Sequence, residues 1–122
     1  MIAHPQIITK FYDFLLYLIP QISKFPRSER YLLGERLEMA CFEIFELLLT
    51  AVYSRDKISS LQKANTKLEQ ARHYVRLSKD LRFINLHRYE VISKMMNEIG
   101  IQLGSWVKQQ RGRDEKTQTP LR

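Results

Sequence analysis

Apolar side chains recur every three or four residues through four long stretches of this chain, and that periodicity predicts four helices over about 5–24, 28–54, 59–83 and 86–111. In the first, Phe11, Leu15, Leu18 and Ile22 form one stripe while Ile8, Tyr12, Leu16 and Ile19 form a second. A helix with two apolar faces needs two partners. The second stripe therefore predicts burial against another subunit, with Phe11, Tyr12, Leu15 and Ile19 as the expected oligomer interface. The second helix carries a dense stripe, Leu33, Leu37, Ala40, Cys41, Ile44, Leu48 and Val52, flanked by Phe42, Phe45, Leu49 and Tyr53. The third has a narrow seam, Leu61, Ala64, Leu68, Ala71 and Val75. The fourth presents Ile92, Met95, Met96, Ile99, Leu103, Trp106 and Val107.

Punctuation between these stretches agrees with the periodicity. Pro5 suits a first helical turn, and Pro20, lacking an amide hydrogen, predicts a kink near the end of the first helix. Phe25-Pro26 stops the first pattern, because the residue before a proline is pushed out of helical geometry. Ser59 and Gln62 have the spacing of a capping box for the third helix. Gly100 and Gly104 each cost about 1 kcal/mol inside a helix relative to alanine, which predicts close approach of a neighbouring helix along that ridge. After Arg111 the apolar pattern ends, so 112–122 is expected to be a disordered basic and polar tail.

The fold expected is all-α, an up-down-up-down four-helix bundle, within a single domain of 122 residues. One cysteine excludes an internal disulfide and fits a reducing cytoplasm. With no signal-peptide pattern and no apolar run long enough to span a bilayer, the expectation is a cytoplasmic protein without a membrane partner.

Charge changes the picture more than composition does. Residues 1–56 carry six Lys or Arg against seven Asp or Glu, whereas residues 57–122 carry fourteen against six, and the whole chain is +7. A basic second half points to a polyanionic partner, RNA or DNA. Arg72, Arg76 and Lys79 stand four and three residues apart on one flank of the third helix, and the following turn brings Arg82, His87 and Arg88 towards them. Side chains at this spacing repel one another, and an opposing phosphate relieves the repulsion. Tyr74 and Tyr89 fall near the same strip, and Lys63 with Lys67 forms a second basic pair.

Catalytic patterns are missing: there is no glycine-rich phosphate loop, no paired histidine at metal spacing and no nucleophile elbow. His4, His73 and His87 are scattered, and Glu35, Glu38, Glu43 and Glu46 lack the Glu-x-x-His companion of a diiron bundle. A protein that is not an enzyme, with no cofactor and no metal, is expected.

The segments FPRSERYLLGERLEMA and RHYVRLSKDLRFINLHRYEVISKMMNEIGIQLGSWVK carry a resemblance over about residues 8–110. They resemble the accessory variability determinant proteins of diversity-generating retroelements, within a wider group of four-helix-bundle proteins also found in intervening sequences of large-subunit ribosomal RNA genes. The resemblance implies a homopentameric basic barrel that binds the retroelement's reverse transcriptase and its nucleic acid and supports mutagenic cDNA synthesis. Arg76 and Lys79 match the family's basic motif; Arg72, Arg82 and Arg88 rest on the charge pattern alone. The alternative implied is the ribosomal intervening-sequence type, with no polymerase partner. The acidic second helix departs from a uniformly positive exterior.

Overall fold

The computed structural model describes residues 6–118, with side chains as far as Asp114, and among these residues all regular structure is helical. Helix α1 is Gln6–Ile22. Helix α2 runs through 27–53 as a first turn Arg27–Glu29, a π turn Arg30–Gly34 and an α-helix Glu35–Tyr53. Helix α3 is Lys57–Asp80 and helix α4 is Leu86–Gln118. Successive helices pack side by side, most extensively α2 on α3, and α1 closes the ring against both α2 and α4. The predicted four-helix bundle is the observed fold. The anticipated start at Pro5 lies outside the described residues.

The core is where the four apolar stripes meet. Phe11, Phe14, Leu18, Leu37, Ile44, Leu48, Leu61, Leu68, Ile92, Met96 and Ile99 are all essentially without solvent exposure. Phe11 stacks on Phe45 across the α1–α2 seam at 6.0 Å and meets Phe14 edge-on at 5.5 Å. This settles the two faces of α1 differently from the expectation. Phe11 and Leu15 are buried in the chain's own core, so neither is an outer-surface contact. Tyr12 and Leu16 are more than half exposed, and Ile8 and Ile19 are half-buried, so the outer stripe stands as Ile8, Tyr12, Leu16 and Ile19. The sequence pattern put four residues from two faces into one interface; Phe14 shows which face is inward, because it packs between Phe11 and Leu18 on the buried side.

Three other details depart from the sequence expectation. The α3 cap is Asp56, whose Oδ1 accepts from the Ser59 amide at 3.3 Å, so Ser59 lies inside the helix rather than before it. One residue on, Lys57 Nζ donates to the carbonyls of Ala51, Val52 and Ser54 at 2.7, 3.0 and 2.8 Å. A cation on the last carbonyls of α2 satisfies acceptors that have no helical partner. Second, α4 continues through Gly112 to Gln118, where a disordered tail was expected from 112; the remainder, 119–122, lies outside the described residues. Third, the two glycines of α4 differ. A Cβ at Gly100 would sit 2.6 Å from a guanidinium nitrogen of Arg72, whereas one at Gly104 would meet nothing within 4 Å. The close approach is real at Gly100, but its occupant is an arginine, and Gly104 is open. A second close approach is at Gly34, in the π turn, where a Cβ would lie 2.9 Å from the Ile22 side chain of α1.

The α3–α4 turn is built by a Schellman closure. The Phe83 amide donates to the Ser78 carbonyl at 2.8 Å and the Arg82 amide to the Lys79 carbonyl at 2.9 Å. That geometry puts Arg82 at φ 65°, in the left-handed region where glycine is the preferred residue. Asn85 then opens α4, its side-chain oxygen accepting from the Arg88 amide at 2.8 Å.

Two consequences are measurable. Arg82→Gly removes the side-chain penalty and should stabilise the fold by about 1 kcal/mol, seen as a rise of about 4 °C in the thermal midpoint; an unchanged or lower midpoint contradicts the assigned turn. Burial, with the Glu38 charge adding to it, pushes the Cys41 thiol up from 9.0 to about 12. Because the folded value is the higher one, the neutral thiol's stabilising share is complete below pH 9.0 and disappears as pH climbs towards 12. Cys41 should therefore ignore an aromatic disulfide reagent at pH 8 in the native protein and react fully once the chain is denatured.

Candidate nucleic-acid interface

A narrow apolar seam gives α3 its charged flanks. Leu61, Ala64, Leu68, Ala71 and Val75 are buried, each a turn from the next, and the remaining circumference is free for polar side chains. At the C-terminal end of this helix stand Arg72, Arg76 and Lys79. The Schellman turn redirects the chain so that Arg82 projects from the turn itself and Arg88 from the first turns of α4. Exposed, Arg76 and Arg82 face solvent; Arg72, Lys79 and Arg88 are half-buried.

The five cations are not equivalent. The Arg72 guanidinium lies over Gly100 and donates to the Met96 carbonyl at 3.2 Å. Its Nε sits 3.1 Å from Glu69 Oε2, an ion pair without hydrogen-bond alignment. Arg72 is thus a strut between α3 and α4, with its charge largely engaged by its own chain, which corrects the view of it as a free contact. Asp80 touches the next two: its Oδ2 is 3.9 Å from Arg76 Nε and its Oδ1 3.3 Å from Lys79 Nζ. Arg76 and Asp80 are exposed and Lys79 is only half-buried, so the pairing is weak and exchangeable. Lys79 Nζ also lies over the Tyr89 ring, 4.9 Å from its centroid. Among the described residues, the side chains of Arg82 and Arg88 have no ion-pair partner.

Beside these cations runs a groove of about 290 Å³ between α3 and α4, lined by Glu69, Arg72, His73 and Arg76 on one side and Tyr89, Ser93 and Met96 on the other. The periodicity of α3 placed its basic residues here, and Tyr89 falls beside them as the spacing suggested. Ser93 and the paired role of Asp80 carried no signal in the sequence, since a lone serine and a lone aspartate are ordinary helix-surface residues. Lys67, from the second basic pair, is engaged by Glu43 of α2 at 3.1 Å and does not extend the site.

The opposite chemistry appears on α2. There the Glu38 carboxyl titrates above its ordinary range, first because burial penalises its charge and second because Glu35 repels it. Among the described residues, no group of three or more His, Cys, Asp or Glu is gathered for a metal ion, and no helix is long and apolar enough to cross a membrane. What the site gathers is side-chain cations beside a groove with one aromatic wall.

No curated protein matches this chain. A family model does, over residues 6–110, a span that takes in the first three helices, most of α4 and the whole basic cluster. By that match the chain belongs to the bAvd-like family.

Proposed function

We propose that this protein is a non-enzymatic accessory protein of a diversity-generating retroelement, an oligomeric helical bundle that binds nucleic acid and a reverse transcriptase and supports mutagenic cDNA synthesis. The observation that carries the binding role is the gathering of Arg76, Lys79, Arg82 and Arg88 around one turn, with Asp80 the carboxylate that touches two of them. Each phosphate that takes a cation releases condensed counterions, so affinity is strongly salt-dependent and largely indifferent to sequence. Family membership supports the retroelement setting and the polymerase partner. The outer stripe of α1, Ile8, Tyr12, Leu16 and Ile19, supports self-association, and the family likeness favours a homopentamer.

Asp80 occupies the place a phosphate would take between Arg76 and Lys79. Binding exchanges one weak anion for a stronger one, and no rearrangement of the fold is required. The strain at Arg82 fits the same role: a left-handed position that glycine would fill at lower cost is given to a cation pointing from the end of the cluster.

The test is RNA binding by the purified chain at low salt. Arg76→Glu with Lys79→Glu should weaken binding by more than about 100-fold, since two cations are lost and two anions gained. Asp80→Asn should strengthen it, and both variants should keep the helical circular-dichroism spectrum. A folded double variant with undiminished affinity would show that this turn is not the nucleic-acid surface.

A further inference from the structure

We infer that the groove between α3 and α4 takes one unpaired base, so that this surface selects single-stranded over double-stranded nucleic acid. The inference deepens the nucleic-acid reading above and rests on it. Phosphate binding alone needs cations and nothing else. This groove has more than that. Tyr89 stands half-buried along one side, buried Met96 provides an apolar base, and Ser93 and His73 supply hydrogen-bonding groups beside them. An aromatic wall, an apolar floor and a few polar edges are the elements that hold a splayed nucleobase.

The arrangement of charge agrees. Lys79 Nζ lies 4.9 Å from the centroid of the Tyr89 ring, so a cation stands against the aromatic wall itself, and Arg76 lines the same groove. A base stacked along Tyr89 therefore carries its flanking phosphates towards Lys79 and Arg76, the two cations that Asp80 holds when nothing is bound. Arg72, pinned over Gly100 and bonded to the Met96 carbonyl, keeps the groove's two walls at a fixed separation. A duplex keeps its bases paired and stacked inside, and can offer this groove only its backbone. It would touch the outer cations and leave Tyr89 unused.

The experiment compares an unstructured single-stranded RNA of about 15 nucleotides with a duplex of equal length, by fluorescence anisotropy on the full chain. Tyr89→Leu should weaken single-strand binding by about tenfold or more while changing duplex binding by less than about twofold, and Tyr89→Phe should retain the wild-type preference. Ser93→Met, which fills the groove and leaves the ring in place, should reproduce the loss of preference and serves where the leucine variant is poorly folded. If Tyr89→Leu and Ser93→Met leave the single-strand preference intact, or the wild type has none, the base-binding groove is overturned, while the phosphate reading stands so long as Arg76→Glu with Lys79→Glu abolishes binding. Undiminished binding by that charge-reversed variant overturns both.

Discussion

The fold and its proposed work both depend on how narrow the buried seam of α3 is. A helix in the middle of a bundle must bury apolar area, and α3 does so with Leu61, Ala64, Leu68, Ala71 and Val75, two of them large and three of them small. Small residues bring α3 close to α2, so a thin stripe is enough to hold it. The rest of its circumference is then unconstrained by packing and can carry charge. A wider stripe of the kind found on α2 would have taken the positions that Arg72, Arg76 and Lys79 hold.

Two close approaches fix the remaining geometry. At one end, Gly34 in the π turn lets α2 start against Ile22 and Phe25, where α1 ends. At the other, Gly100 gives the Arg72 guanidinium room to cross from α3 to the Met96 carbonyl. The second contact ties the two helices that border the basic groove, and the Schellman turn joins them a few residues beyond. The cluster of cations is thus held by packing and backbone hydrogen bonds, with little contribution from its own exposed ion pairs.

Much of this was legible in the sequence. The helix count, the buried stripes of α2, α3 and α4, and the flank carrying Arg76 and Lys79 follow from periodicity, most sharply on α3, where a narrow apolar seam is set against polar flanks. Where both faces of a helix are apolar, periodicity cannot say which one is inward: in α1, Phe11 and Leu15 belong to the core and Tyr12 and Leu16 to the surface, a distinction that depends on the neighbouring helices. The same limit explains Gly100 and Gly104, which are alike in sequence and differ only in what stands opposite them. The continuation of α4 beyond Arg111 was hidden because that segment adds no apolar stripe. Arg82's left-handed backbone was hidden because an arginine there reads as ordinary helix.

A bundle with a basic turn at one end and an acidic, partly apolar α2 elsewhere has two kinds of surface to offer, and only the first suits a polyanion. Backbone amide shifts recorded while RNA is titrated into the isotopically labelled protein distinguish them directly. Perturbations should concentrate in residues 72–93, on both sides of the α3–α4 turn, and spare residues 35–46 of α2. Shifts confined to α2, or spread evenly over the four helices, would contradict the account.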